Sequence, residues 1–357
     1  MMTPQVRTPE EPFVLVDHEK SLARLEATMR RVGTTLSHAE FVRAVSTAYF
    51  EMDASRHAAE MHQYFHLCGA YDHLRRALTA AKSMLAQPLR ILDIGCGAGF
   101  ELSVVREVFV SSDVRQLVGL DPSPDMLSYA RQKVEGYPCR MILGSVRDAL
   151  EFGPFELVVT HAMVHHVPSL AAFFAGIEQS LVPGGIYLMG HEPNRRYWTH
   201  LEKQSFFQEL QETMHRRRHI GRFFQPSRYV SKLVRLLRLA EEQSPVAQVN
   251  RILRQRYGFH GELTAKEVLR LVDVHVPDRL PGEFRIGLEG FDWEELGSGM
   301  LRDFQLISLV TYSHLQQSTD PKYWPRGWRK LSARLERTYP LDGACFTALW
   351  RKDRQDE

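Results

Sequence analysis

Residues 90–99 read Arg-Ile-Leu-Asp-Ile-Gly-Cys-Gly-Ala-Gly, and Phe100 opens an amphipathic helical pattern. An apolar run that ends in alternate glycines and passes into a helix spells a strand, a tight turn and a helix N-terminus. At such a turn no Cβ stands between backbone and ligand, and the unpaired N–H groups of the first helical turn point outward. The spacing narrows the ligand. A dinucleotide fingerprint places its third glycine three residues after the second, and here that position is Phe100. Pyrophosphate is therefore disfavoured. The next apolar run, 116–120, ends on Asp121, where a carboxylate can accept hydrogen bonds from both hydroxyls of a ribose lying over the glycine turn. A nucleoside without phosphates suits both features.

Three further stretches accompany LDIGCGAGF at 92–100: GLDPSPDML at 119–127, FELVVTHAMVHHV at 155–167 and LVPGGIYLMGHEPN at 181–194. In this order they resemble the class I S-adenosylmethionine-dependent methyltransferases of the small-molecule branch. The resemblance covers residues 88–194 well and the last sixty or so weakly. It implies an α/β fold, a Rossmann-like, doubly wound seven-stranded sheet closed by an antiparallel pair, with S-adenosyl-L-methionine as cofactor. By the same resemblance Asp93, Gly95, Cys96, Gly97 and Gly99 cradle the cofactor, Asp121 holds its ribose, and Pro122 and Met126 border its adenine. Many members carry an acidic residue after the third strand for the adenine amino group. This chain has Ser145 and Val146 there, with Asp148 in reach as an alternative acceptor. Tyr64 and Tyr71 are expected over the cofactor from the N-terminal helices.

His161, His165 and His166 cluster after the fourth strand. His161 and His165 stand at i, i+4, but the glutamate of an HExxH zinc pattern is replaced by Ala162 and the segment follows a strand, so no metal is expected. The resemblance puts His161 beside the cofactor and His165 and His166 on the wall facing the acceptor. There a neutral imidazole can take the acceptor's proton or simply shape the pocket. His191, Glu192 and Asn194 lie past the fifth strand, at the carboxyl edge where open α/β sheets bind ligands, with Tyr197 and Trp198 next. They are expected to line the acceptor site, or in the aromatics' case to pack a cap onto the core.

The chain has 357 residues, 44% hydrophobic and 25% charged, which accommodates one core with additions. Four cysteines, at 68, 96, 139 and 345, lack zinc or redox spacing and suit a reducing compartment. No signal pattern or membrane-length apolar run is read, so a cytoplasmic protein is expected. Net charge is +2, yet residues 195–258 hold fourteen Lys/Arg against five Asp/Glu. Arg216–Arg218 and the face of Arg228, Lys232 and Arg235 are a solvated surface or hold an anionic acceptor. Nucleic acid is disfavoured because aromatics do not interleave with the basic run.

Four regions follow: a helical lid over 1–87, a cofactor-binding core over 88–194, a helical cap carrying the acceptor over 195–300, and strands over 301–357 that complete the sheet. The expected reaction is in-line methyl transfer to an oxygen or nitrogen of a small molecule of secondary-metabolite kind, driven by proximity with or without a histidine base. A nicotinamide-dependent oxidoreductase and a non-catalytic S-adenosylmethionine-binding scaffold are the rivals, and a homodimer is left open.

Overall fold

The computed structural model describes residues 18–52, 54–200, 205–206, 208–210, 212–213, 244–276, 289–315, 324 and 326–354. Four helices come first: α1 (His18–Val32), α2 (His38–Met52), α3 (Ala54–Leu67) and α4 (Ala70–Met84). Strand and helix then alternate through β1 (Leu89–Ile94), α5 (Phe100–Val108), β2 (Val114–Asp121), α6 (Pro124–Lys133) and β3 (Cys139–Leu143). The series continues with α7 (Val146–Ala149), β4 (Phe155–His161), α8 (Leu170–Ser180), β5 (Leu181–Pro193) and α9 (Arg195–Thr199). The remaining described elements are α10 (Pro245–Tyr257), α11 (Ala265–Val272), α12 (Trp293–Ser298), β6 (Phe304–Tyr312), α13 (Trp328–Thr338) and β7 (Cys345–Lys352).

The seven strands form one sheet in the order β3-β2-β1-β4-β5-β7-β6. Strands β1 to β5 pair in parallel, and β7 runs antiparallel to both β5 and β6. Both sheet faces are covered, which is why the central strands read as near-continuous apolar runs. Ile91, Leu117 and Leu157 pack with α4 and α5 residues such as Leu74, Leu78 and Val105 on one face. Leu92, Val118 and Val158 pack with Phe174, Ile177 and Trp293 on the other. The Pro183-Gly184-Gly185 stretch lies within β5: Phe155 pairs with Leu181 but Leu157 with Ile186, so the intervening residues bulge out of register.

The lid and the cap, expected as separate additions, share a core. Leu25, Phe41, Val42 and Val45 of α1 and α2 bury against Val249 and Leu253 of α10 and Val268 and Leu271 of α11, with Phe259 stacked on Phe41 at 5.6 Å. Helical periodicity reveals an apolar face but not its partner, so the sequence showed two amphipathic regions rather than one unit. Only α4 and the end of α3, through Leu74, Leu78 and Phe65, belong to the core beneath the sheet. Thr264 starts α11 with a capping box: its side chain accepts from Glu267 N, and Glu267 returns the bond. Arg216–Arg218, Arg228, Lys232 and Arg235 lie outside the described residues. Among the described residues no helix is long and apolar enough to cross a membrane.

Candidate functional site

A cavity of about 560 Å³ opens at the carboxyl ends of β1, β2, β4 and β5, roofed by α2, α3 and the end of α11. Its floor is the glycine turn. The N–H groups of Gly95 and Cys96 donate to Leu120 O at 2.8 and 3.0 Å, tying the turn to β2. Gly95, Gly97 and Gly99 all have positive φ, at 71°, 49° and 86°, a region costly to residues with a Cβ. Their surroundings differ. A Cβ on Gly95 would come within 2.9 Å of Met163, and one on Gly99 within 2.9 Å of Ala130 Cα, whereas one on Gly97 would meet nothing nearer than 3.9 Å. Gly97 is thus the open position, while Gly99 serves the close approach of α5 to α6 and does not line the cavity.

Asp121 braces this floor. Its Oδ2 accepts from Gly97 N and its Oδ1 from Ser123 N, both at 2.9 Å. Burial raises its pKa to about 6 against those two bonds. Pro122, Met126 and Cys96 line the cavity beside it. Asp93 does not: it is fully buried behind the turn, and neither carboxylate oxygen has a hydrogen-bond partner among the described residues. Burial, with Glu101 and Asp121 adding, pushes its pKa well above the usual range. Ser145 and Val146 also lie off the cavity. The Ser145 hydroxyl and N–H both bond Asp148 in a helix-capping box, and Val146 packs in the core against Gly176, so the expected adenine contacts there are not formed by these side chains.

Glu101, in the first turn of α5, lines the cavity and was missed from the sequence. Its Oε1 lies 3.0 Å from His161 Nδ1. Burial raises Glu101 to about 8 and lowers His161 to about 3, favouring the neutral form of each. His161 Nε2 is buried and has no partner among the described residues. The available signal was a glutamate on an otherwise apolar helix start directly after the glycines. Phe65 was missed as well; its ring lies 4.5 Å from Phe100 and 4.7 Å from His161, between centroids.

The opposite wall follows β4, where Val164–His166 form a 3-10 turn. Glu192, buried at the end of β5, holds that turn from behind: Oε1 accepts from Met163 N and Val164 N at 2.9 and 2.8 Å, and Oε2 from His165 N at 3.2 Å. The same Oε2 lies 2.8 Å from His165 Nδ1. With its oxygens so engaged and no face on the cavity, Glu192 positions the wall rather than touching an acceptor. Burial pulls the His165 pKa down, but the Glu192 charge and hydrogen bond outweigh it and leave it raised. His166 is driven well below its usual value by burial and by His165, and its Nδ1 donates to Val272 O at 2.8 Å. Both rings line the cavity, as do His191 and Trp198. His191 contacts Tyr312 Oη through Nδ1 at 3.0 Å and Tyr64 Oη through Nε2 at 3.4 Å. Tyr64 lines the cavity; Tyr71 bonds Glu107 and does not. Tyr197 is fully buried, and Asn194 spends its amide on Leu341 O and Gly343 O, so both belong to the packing of the β5 exit.

A family model described as a methyltransferase domain matches residues 92–189. The chain is 32% identical over 116 residues to a trans-aconitate 2-methyltransferase of Acidovorax sp. (strain JS42), covering 32% of this chain and 43% of that protein. It is 29% identical over 126 residues to a cyclopropane-fatty-acyl-phospholipid synthase of Escherichia coli (strain K12), covering 33% of this chain and 31% of that one. The aligned stretch thus spans less than half the length of these curated relatives. Among solved structures, the N-methyltransferase NodS of Bradyrhizobium japonicum WM9 in complex with S-adenosyl-L-homocysteine superposes with a TM-score of 0.34 at 12% identity, covering 78% of this chain and 85% of that one. Glycine turn, sheet order and family match agree: residues 92–189 match a methyltransferase domain.

Proposed function

We propose that the chain methylates an oxygen or nitrogen of a small molecule inside this cavity. The observation that carries the reading is the Asp121 carboxylate, bonded to Gly97 N at a turn position that lines the cavity and has room around it. A ribose placed there can take over the carboxylate, and the two acids that line the floor, Glu101 and Asp121, with no cation bonded to Asp121 among the described residues, suit a ligand that carries sulfonium and ammonium charge. Gly95, Cys96, Gly97, Asp121, Pro122, Met126 and His161 would hold S-adenosylmethionine. When bound, it supplies a methyl on a sulfonium sulfur: the acceptor's lone pair bonds the methyl carbon, the C–S pair returns to sulfur, and the acceptor's proton leaves.

This chain's residues align the partners and exclude water, and proximity of this kind can supply about 7–11 kcal/mol of a barrier. The acceptor sits against His165 and His166, under Phe50 and the end of α11. That wall is where its proton departs. Arg56 and Lys133 also line the cavity and would draw an anionic acceptor. Incubation with methyl-labelled S-adenosylmethionine and a panel of hydroxyl- and amine-bearing small molecules tests the reading. Label transferred to a member of the panel supports it, whereas cofactor binding without transfer to any class of acceptor leaves a scaffold.

A further inference from the structure

The geometry points to a divalent-metal site on the acceptor wall, formed by His165, His166 and Asp273, with Glu192 as its positioning residue. One ligand atom from each of the three lies within 4.8 Å of the others. The histidines come from the turn after β4 and Asp273 from the C-terminal cap of α11, so only the fold brings the carboxylate to the imidazoles.

Hydrogen bonding prepares both rings as ligands. Val272 O can only accept, so the hydrogen of His166 is on Nδ1 and the lone pair of the neutral ring on Nε2. His165 Nδ1 faces a carboxylate already fixed by three backbone N–H groups, so in the neutral ring, or once a metal has displaced the second proton, Nε2 is the lone-pair nitrogen. A carboxylate or carbonyl behind the non-ligating nitrogen is the usual support of a metal-bound histidine. Asp273 has 46% of its side chain exposed, and its Oδ1 lies 3.4 Å from His166 Nδ1, on the same edge of the ring as Val272 O.

A general base would need one imidazole, yet the wall holds two, with ring centroids 3.9 Å apart, and a carboxylate beside them. Two imidazole nitrogens and one carboxylate oxygen match zinc, manganese, iron(II) or cobalt better than calcium or magnesium. All three residues line the cavity. The role of the site rests on the methyltransferase reading: a cation there would lower the pKa of an acceptor hydroxyl that ligates it, so that the proton leaves at neutral pH. Binding would also tie the cap to the core, because Asp273 belongs to one and the histidines to the other.

Metal binding is testable without cofactor or acceptor. The untagged full chain, stripped with a chelator, is titrated with cobalt(II), followed by visible absorption, and with zinc(II), followed by calorimetry. One equivalent should bind with micromolar or tighter affinity. Asp273→Ala, His165→Ala and His166→Ala should each weaken it at least tenfold, and Glu192→Gln about 10- to 100-fold. Should the histidine variants fail to fold, Asp273→Ala, a change at a half-exposed side chain, decides alone. No stoichiometric binding by the wild type, or binding untouched in Asp273→Ala, overturns the site and returns the wall to general-base chemistry. S-adenosylhomocysteine binding to the metal-free protein, measured separately, tests the underlying reading: metal bound without it would leave the site standing and remove its role.

Discussion

Glu192 Oε2 and His165 Nδ1 lie 2.8 Å apart, and the carboxylate that makes this contact also receives the backbone N–H groups of Met163, Val164 and His165. The exit of β5 therefore dictates the conformation of the exit of β4. A residue that appears to face an acceptor instead builds the wall that does.

Glu192→Gln replaces half of that acceptor set with an amide that donates. Losing hydrogen bonds to a charged group costs about 1.5–3 kcal/mol, and chemical denaturation should show a loss of that size. The His165 imidazole, followed by NMR titration, should move to lower pKa in the variant because the charge that outweighs its burial is gone. An unchanged titration would separate the two residues.

Stability should fall as pH rises from about 6.5 to 8. Glu101, at about 8 in the fold and near 4.5 when unfolded, binds more protons in the native state over this range. A carboxyl raised by burial thus contributes a slope of negative sign, at most about 1.4 kcal/mol per pH unit for one proton. Asp93 and His165, both raised, share the sign. His161, at about 3, and His166, His191 and His275, all lowered by burial, act with the opposite sign, strongest below 6.5 and fading toward 8, so the fall is clearest in the upper part of the range. Glu101→Gln should flatten the profile between 6.5 and 8 without abolishing the slope. Parallel wild-type and variant curves in thermal melts would remove Glu101 from the account.

Two glycines of one turn should respond differently. Gly99→Ala forces a Cβ into φ 86° and against Ala130 Cα, so it should lose more than the roughly 1–2 kcal/mol that a left-handed conformation costs alone. Gly97→Ala meets only the conformational cost and should show its main effect as weakened nucleoside binding. Equal stability and equal binding in the two variants would contradict the assignment of Gly97 as the open position.

Phe41→Ala should cost about 3–5 kcal/mol, because its ring stacks on Phe259 in the core shared by lid and cap. Hydrogen exchange should show α1, α2, α10 and α11 losing protection together. Protection retained in α10 and α11 would make lid and cap independent.

The strand, glycine turn and Asp121 were legible because the whole motif lies within about thirty residues and its chemistry is local. Glu192 was placed at the sheet edge, but its hold on the exit of β4 was not legible, since that arises from pairing across β4 and β5. The same applies to Ser145: its place after β3 was readable, but its capping bond to Asp148 depends on a short helix that the spacing did not reveal. The alternating elements of the sheet stood out through turn residues and apolar runs, while the lid and cap showed only amphipathic faces that lacked named partners.

Calorimetry with S-adenosylhomocysteine on the wild type and on Asp121→Ala tests the central claim most directly. The wild type should bind one equivalent, and the variant should bind at least about tenfold more weakly, as expected for losing a charged hydrogen-bond acceptor. Equal affinity in both proteins, or no binding of S-adenosylhomocysteine or S-adenosylmethionine by the wild type, would contradict it.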